Sequence, residues 1–244
     1  MMFKHPIKKF LRALGYQISK TDDVRSDVLV QKSLEPLGVE ILFDDGEFRK
    51  SCIEAYPYTL LDTSRLANLW QLCRMSNPRG TIVEVGSYLG GGALHLANSC
   101  PQRKTFACDS FQGFEGLDEK LDTNFIDQDF RNTSRHTVQE LFNSKNKDIT
   151  VIAGFFPNSC RDIEIGPVSF VHLDVDVYKA TIESLHYLST KMMPLSLMIL
   201  DDYNRRADGV NTAVSEFIAS NKAWNIFPLF PSQCLLVHRS WFDA

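Results

Sequence analysis

Short apolar runs alternate with segments of helical spacing over most of this chain. Runs rich in β-branched and aliphatic residues are typical of buried strands. The segment after most of these runs repeats apolar residues three and four positions apart, which indicates an amphipathic helix. Two extended runs around a Pro231-Ser232 turn predict a hairpin. The predicted strands are Thr81–Val85, Thr105–Ser110, Ile149–Ala153, Val168–Val175, Ser196–Leu200, Trp224–Phe230 and Gln233–His238.

Five strand–helix units followed by a hairpin predict the fold class. Strands that alternate with helices form a parallel sheet with helices on both of its faces. The chain is therefore predicted to be an α/β protein with a doubly wound, mostly parallel sheet of seven strands. Its 244 residues suffice for one large domain with an appendage. We place the main domain at residues 58–244, with a helix over Leu60–Cys73 before the first strand.

Residues 1–57 have a mixed, charged pattern, and we predict that they form a helical and irregular cap or lid. Residues 1–15 resemble a basic amphipathic helix that ends before Gly15. We expect this helix to dock on its own domain or on a partner subunit, as in a homodimer. Peripheral contact with an anionic membrane surface is the alternative. Its apolar positions are Phe3, Ile7, Phe10, Leu11 and Leu14.

Composition excludes several classes of protein. The chain has 26 basic and 30 acidic residues and a net charge of -4, which argues against a general nucleic-acid binder. No apolar run approaches the roughly 18 residues of a membrane span. The six cysteines are scattered without a Cys-x-x-Cys pair, which is typical of reduced core thiols in a cytoplasmic protein.

The stretch TIVEVGSYLGGG, residues 81–92, joins the first strand to a helix through a glycine-rich turn. Such a turn brings bare backbone close to a nucleotide-like ligand. Its glycine spacing differs from the dinucleotide fingerprint, and the Gly-Lys-Ser/Thr ending of a phosphate loop is absent. Glu84 suits a ligand whose hydroxyls or amine donate to a carboxylate. The alternative is a turn that only packs a helix on a strand.

Acidic residues end three of the predicted strands. Asp109 follows the second strand, where acidic side chains commonly bind ribose hydroxyls. Asp174 and Asp176 end the fourth strand, and Asp201-Asp202 end the fifth. Adjacent parallel strands lie about 5 Å apart, so these four carboxylates should crowd one site. A divalent cation would neutralise them, and oxygen ligands favour Mg²⁺. If the fourth strand stays regular, only one of its two acids reaches the ion; helix capping is the alternative role.

Four segments in this order and spacing resemble a known family. IVEVGSYLGGG, ACDSFQGF, FVHLDVDVY and LDDYN are similar to motifs of the TylF/MycF group of macrocin-type O-methyltransferases, over roughly residues 56–240. This resemblance implies a Rossmann-like methyltransferase fold, S-adenosylmethionine as methyl donor and Mg²⁺ as metal. It further implies that Asp174, Asp201 and Asp202 are the metal ligands, with Asp176 as the next candidate.

The resemblance also implies a cofactor site. Glu84 and Gly86 would lie near the methionine part, Asp109 on the ribose and Gly154 and Phe155 by the adenine, while Tyr58-Thr59 would close over the cofactor. The residues implied as cofactor-binding are Tyr58, Thr59, Glu84, Gly86, Ser87, Tyr88, Asp109, Ser110, Phe111, Gly154, Phe155 and Asp174.

The general base stays open. Methyl transfer needs a hydroxyl oxygen in line with the leaving sulfur and a base for its proton. Catechol enzymes carry a lysine three residues after the first metal-binding Asp, where this chain has Val177. The candidates are Asp174, Asp176 and His136, with His172 as a further one. Lys179 is expected to point away on its helix, and we expect His172 to be a core histidine.

We therefore expect an Mg²⁺-dependent O-methyltransferase that acts on a small hydroxylated molecule, a sugar or glycoside with neighbouring hydroxyls. Two alternatives remain from the sequence. One is a nicotinamide-dependent oxidoreductase, which the glycine spacing and the acid cluster disfavour. The other is a non-catalytic cofactor-binding protein of the same fold.

Overall fold

The computed structural model describes residues 45–204 and 208–242. The predicted amphipathic helix over residues 1–15 lies outside them, so its docking and the homodimer stay predictions. The helices are α1 (Gly46–Ala55), α2 (Thr63–Met75), α3 (Gly91–Ser99), α4 (Arg135–Ser144), α5 (Tyr178–Ser189) and α6 (Asp208–Ser220). The strands are β1 (Thr81–Val85), β2 (Thr105–Asp109), β3 (Ile149–Ala153), β4 (Val168–Leu173), β5 (Met192–Leu200), β6 (Trp224–Leu229) and β7 (Gln233–His238).

The strands form one seven-stranded sheet in the order β3-β2-β1-β4-β5-β7-β6. The strands β1 to β5 pair in parallel, and β7 pairs antiparallel with both β5 and β6. This arrangement confirms the predicted α/β fold with a mostly parallel, doubly wound sheet. The strand order reverses between β1 and β4, and ligands of such sheets bind at the carboxyl ends of the strands beside this switch point.

Four strand boundaries differ from the predicted ones. Strand β2 ends at Asp109 rather than at Ser110, and β6 ends at Leu229 rather than at Phe230. Strand β4 ends at Leu173 rather than at Val175, so Asp174 already belongs to the following loop. Strand β5 begins at Met192 rather than at Ser196. Pro194 in this segment breaks the apolar pattern but is accommodated, because β5 reaches its parallel partner β4 mainly from Leu197 onward.

Alternate residues of each central strand face opposite layers of helices. On one face, Val83 and Leu173 join a core cluster with Leu185 of α5 and Phe217 of α6. On the other face, Ile82 belongs to a cluster with side chains of α1 and α2. Burial on both sides explains why these strands are almost continuously apolar.

Helix α1 lies within the range assigned to the cap, and it is packed against the main domain. The Asp45 side chain caps this helix by accepting hydrogen bonds from the backbone N–H groups of Glu47 and Phe48. Phe48 is fully buried and meets the Trp70 ring edge-to-face, with ring centroids 5.7 Å apart. Among the described residues, no helix is both long and apolar enough to cross a membrane.

Candidate functional site

A cavity of about 370 Å³ lies at the carboxyl ends of the central strands, beside the switch point. This volume is typical of small-molecule sites. The predicted cofactor residues that line it are Tyr58, Thr59, Glu84, Gly86, Ser87, Tyr88, Asp109, Ser110, Gly154, Phe155 and Asp174. Phe111 does not line it; its side chain packs against the core cluster of α3, α4 and β3. Phe114 and Phe130 line the cavity instead.

Gly86 directly follows β1, and its backbone packs against the loop that follows β4. It has a φ of 90°, and a Cβ atom there would lie 1.7 Å from the Asp174 carbonyl oxygen. The Asp174 N–H in turn donates to the Val85 carbonyl at 2.8 Å. Glycine therefore permits the two strand ends to meet with their backbones in contact.

Glu84 projects from β1 into a buried position at the start of α3. Its Oε1 atom accepts a hydrogen bond from His172 Nδ1 at 2.9 Å, whereas its Oε2 atom is buried without a hydrogen-bond partner. A Cβ atom at residue 92 would lie 2.0 Å from Glu84 Oε1, so Gly92 makes room for the carboxylate. A buried, unpartnered carboxylate oxygen on a cavity wall is a ready acceptor for a ligand's donor.

Asp109 lies at the end of β2, as predicted. Its Oδ2 atom accepts from the Tyr88 N–H and its Oδ1 atom from the Phe111 N–H, both at 2.7 Å. These bonds hold the glycine-rich turn and the loop after β2 around one carboxylate. Burial raises the pKa of Asp109 even though the two backbone N–H groups oppose this shift.

The open acid group (Asp174, Asp176 and Asp202) lines the same cavity. One carboxylate oxygen from each residue lies within 4.8 Å of those of the other two. The expectation that only one acid of β4 reaches the ion assumed a regular strand, and that condition is not met, because the strand ends at Leu173 and Asp176 has a φ of 61°. The loop therefore turns both side chains towards one point.

The carboxylates of the open acid group repel one another. Burial, and then the negative charge of Asp201, raise the pKa of Asp174 well above its ordinary value. Burial, and then the charge of Asp174, do the same for Asp176. Like charges held this close stay ionised only when a cation compensates them. Carboxylate oxygens at these distances are suitable ligands for a hard divalent ion.

The closed network (Glu84, His172, Asp201 and Arg65) borders the open acid group, since Asp174 lies within 4.8 Å of His172 and Asp201. Asp201 is 2% exposed and accepts from Arg65 Nη1 at 2.8 Å and from Gln233 Nε2 at 2.9 Å. It also accepts from the Asp202 N–H at 3.1 Å and contacts His172 Nε2 at 3.4 Å. Asp201, predicted as a metal ligand, thus has four protein hydrogen-bonding partners. One of its oxygens also lies within 4.8 Å of ligand atoms of His172 and Asp174, so its role as a metal ligand stays a prediction.

His172 is cationic within this network. Burial lowers its pKa, but hydrogen bonds to Asp201 and Glu84 outweigh that effect and raise the pKa to about 10. For Asp201 the effects are reversed. Burial raises its pKa, but His172 and Arg65 outweigh burial and lower the pKa to about 2. A protonated histidine between two carboxylates cannot accept a proton, so the placement fits the expectation of a core histidine.

The remaining candidate bases differ in whether they line the cavity. His136 lies at the start of α4 with its side chain 81% exposed, paired with Glu140 at 3.2 Å, and it does not line the cavity. Lys179 lines the cavity although its position on a helix predicted otherwise. Its Nζ atom lies 3.6 Å from Glu115 Oε1.

Sequence reasoning missed two residues that shape the site, Arg65 and Gln233. They come from α2 and β7, far along the chain from Asp201, and nothing in the local pattern links them to it. The signal that existed was weak: Gln233 is a polar residue at the start of a buried, mostly apolar strand, whereas Arg65 follows other polar residues at the start of α2.

Comparison with known proteins agrees with this geometry. A model of the macrocin O-methyltransferase (TylF) family matches residues 43–226. The 8-demethyl-8-(2,3-dimethoxy-alpha-L-rhamnosyl)-tetracenomycin-C 4'-O-methyltransferase of Streptomyces olivaceus is 23% identical over 180 residues, which are 66% of this chain and 67% of that protein. The mycinamicin III 3''-O-methyltransferase of Micromonospora griseorubida is 27% identical over 173 residues, 62% of this chain and 68% of that one.

A solved structure shows the same fold. The O-methyltransferase NovP superposes with a TM-score of 0.63 at 20% identity, covering 74% of this chain and 82% of its own. The family model spans most of the chain, including the glycine-rich turn and every member of the open acid group. The protein thus belongs to the macrocin O-methyltransferase (TylF) family and is an S-adenosylmethionine-dependent O-methyltransferase.

Proposed function

We propose that this enzyme methylates a hydroxyl group of a sugar or glycoside and that it requires Mg²⁺. S-adenosylmethionine, when bound, supplies an electrophilic methyl group on a sulfonium. A bound Mg²⁺ lowers the pKa of a coordinated hydroxyl and orients it. The observation that carries the proposal is the open acid group, three carboxylates that share one wall of the cavity with the predicted cofactor residues.

The ligand set that we propose for the ion is Asp174, Asp176 and Asp202. The resemblance implied Asp201 in place of Asp176. Asp201, however, already accepts hydrogen bonds from cationic and amide donors, and its charge is balanced by Arg65 and His172. Asp176 faces the cavity, and one of its carboxylate oxygens lies within 4.8 Å of oxygens of Asp174 and Asp202. We therefore assign the ion to the open acid group.

We propose that the cofactor occupies the part of the cavity that is lined by Glu84, Asp109, Gly154 and Phe155. We propose that the unpartnered Oε2 atom of Glu84 accepts from the methionine ammonium of the donor, since a buried carboxylate binds a cation strongly. Asp109 would accept from the ribose hydroxyls, because each of its oxygens has a further lone pair. Gly154 and Phe155 line the part of the wall that we assign to adenine.

Asp176 is the general base that we propose. A carboxylate beside the acceptor hydroxyl can take its proton, and the loop after β4 turns the Asp176 side chain towards the same point as those of Asp174 and Asp202. Asp176 also lines the cavity, where the acceptor hydroxyl must lie.

The sugar assignment comes from the relatives. The Streptomyces olivaceus relative is named for a substrate that carries a rhamnosyl group, and its methyl group goes to a 4'-oxygen. A sugar presents neighbouring hydroxyls, which suits a site with several oxygen ligands around one ion. We also propose that the enzyme works in the cytoplasm, because its six cysteines are free thiols.

Transfer of a labelled methyl group from S-adenosylmethionine to a panel of glycosides, with and without EDTA, tests the proposal. We expect methylated product with Mg²⁺ present and a loss of turnover with EDTA that added Mg²⁺ restores. In Asp176→Asn, kcat should fall by about 10²–10⁴-fold, the range for loss of a general base. Glu140→Gln, a change at an exposed carboxylate of α4, serves as the matched control and should leave kcat unchanged.

Full activity of Asp176→Asn would exclude this residue as the base. Turnover that is insensitive to EDTA would contradict the metal requirement. Methylation of non-sugar hydroxyls alone would contradict the substrate class and leave the metal site standing.

A further inference from the structure

Arg65 holds two walls of the cavity together. It projects from the first turn of α2, and its side chain is 8% exposed. Its guanidinium donates from Nη1 to Asp201 Oδ1 at 2.8 Å, from Nη2 to the Leu60 carbonyl at 2.8 Å and from Nε to Asp62 Oδ2 at 3.1 Å. One planar group therefore bridges the chain before α2 and the end of β5.

The bond to Leu60 fixes the segment that we expect to cover the cofactor. Residues 58–61 line the cavity and lead directly into α2. Thr59 tightens this segment further, because its Oγ1 atom accepts from the Leu61 N–H at 3.1 Å. Leu60 itself is 67% exposed, so its backbone is held by the arginine rather than by burial of its side chain.

The bond to Asp201 reaches the open acid group through one further contact. Oδ1 of Asp201 accepts both from Arg65 Nη1 and from the N–H of Asp202. Asp202 has a φ of 57°, an uncommon conformation for a residue other than glycine. An unbroken chain of hydrogen bonds thus runs from the Leu60 carbonyl through Arg65 and Asp201 to the backbone of Asp202.

We propose that Arg65 is a positioning residue that couples the binding of cofactor to the binding of the divalent ion. This inference rests on the proposed metal site at the open acid group. A ligand that orders one end of the hydrogen-bonded chain also orders the other end. The second ligand then loses less conformational entropy on binding, so each ligand strengthens the binding of the other. By linkage, both affinities increase by the same factor.

Arginine is required for this role by its shape. The planar guanidinium makes three directed contacts at once, whereas the single ammonium of lysine keeps the charge but reaches fewer of these acceptors. Arg65→Lys should therefore leave the charge of Asp201 compensated and break the link to Leu60. Arg103→Lys is the matched control. Arg103 also bridges separate segments, because it donates to the carbonyls of Gly80 and Cys73. It lies at the amino ends of β1 and β2, whereas the cavity lies at the carboxyl ends.

Calorimetric titration with S-adenosylhomocysteine, in EDTA and in saturating Mg²⁺, measures the coupling. The product cofactor carries no sulfonium charge, so direct repulsion of the ion is avoided. We expect Mg²⁺ to strengthen binding about 10-fold in the native protein, and S-adenosylhomocysteine to strengthen Mg²⁺ binding by the same factor. In Arg65→Lys the factor should fall below about 2-fold, and in Arg103→Lys it should stay unchanged.

Hydrogen exchange at the amides of residues 59–62 provides a readout that does not depend on affinity. Mg²⁺ alone should slow exchange there in the native protein and not in Arg65→Lys. If Arg65→Lys does not fold, Asp62→Asn removes one contact of the guanidinium while an asparagine can still cap α2, and the coupling factor should then be intermediate. An unchanged coupling factor in the folded variants would overturn the role of Arg65. Absence of Mg²⁺ binding to the native protein would instead overturn the proposed metal site, and this inference with it.

Discussion

The closed network and the open acid group bring carboxylates to the same strand ends and treat them in opposite ways. In the closed network, Asp201 is paired with Arg65 and His172 and has a lowered pKa. In the open acid group, burial and mutual repulsion raise the pKa of Asp174 and Asp176. The difference separates two uses of one residue type: protein groups neutralise Asp201, whereas we propose that a bound Mg²⁺ neutralises Asp174 and Asp176.

The neighbours Asp201 and Asp202 provide the sharpest test of this comparison. Asp201→Asn should lower the free energy of unfolding by about 3–5 kcal/mol, because it leaves buried cationic partners without their counter-charge. Asp202→Asn in the adjacent position should cost less, because it removes one of three neighbouring negative charges, and it should abolish Mg²⁺ binding instead. Urea denaturation and Mg²⁺ titration of both variants measure the two effects. Equal loss of stability in both would remove the distinction between the two groups.

Two buried histidines of the described residues, His172 and His95, extend the comparison to pH. His172 sits between carboxylates and keeps its proton, whereas His95 is bonded to Ser51 Oγ at 2.7 Å and to the Leu66 carbonyl at 3.0 Å. Burial is the main cause that lowers the pKa of His95 from 6.5 to about 4. Between these values the unfolded chain binds a proton that the folded protein excludes. Stability should therefore fall as the pH falls through this window, by up to about 1.4 kcal/mol per pH unit.

The variant His95→Gln isolates this contribution, because glutamine does not titrate and can still donate and accept a hydrogen bond. Its free energy of unfolding, measured by urea denaturation from pH 7 to pH 4, should depend less steeply on pH than that of the native protein. Identical slopes for the two proteins would show that His95 is not protonated on unfolding.

Glu84 is a member of the closed network and also lines the cavity, and Gly92→Ala tests whether it binds the cofactor. The new Cβ atom would lie 2.0 Å from Glu84 Oε1 and would displace the carboxylate. We expect the affinity for S-adenosylhomocysteine, measured by calorimetry, to fall about 10-fold, which corresponds to about 1.4 kcal/mol. Gly46→Ala is the control, since a Cβ atom there has no neighbour within 4 Å. Unchanged affinity in Gly92→Ala would remove Glu84 from the cofactor site.

The elements of the fold were largely predictable from the sequence, because local pattern determines them. The apolar runs of β1 and β3 and the hairpin of β6 and β7 lie where periodicity places them. The approach of acids from β4 and β5 was also predictable, because parallel neighbours end at the same edge of a sheet. These inferences need only the order of elements and the spacing of strands.

The orientation of each acid was not predictable in this way. Asp176 turns into the cavity because the loop adopts a left-handed residue there, which periodicity does not encode. Asp201 turns inward because Arg65 and Gln233 arrive from distant parts of the chain. His136 was a reasonable candidate by residue type, yet its place on an exposed helix start follows from the tertiary path of a long loop.

The contact between Gly86 and Asp174 has a practical consequence for redesign of this enzyme. Asp174 packs its carbonyl against the bend after β1 and contributes its carboxylate to the open acid group. The ends of β1 and β4 are thus fixed against each other at these two residues. Chimaeras of this enzyme should take both residues from one parent. Grafts that take residue 86 from one parent and residue 174 from the other would place unmatched backbones at a contact with no spare room.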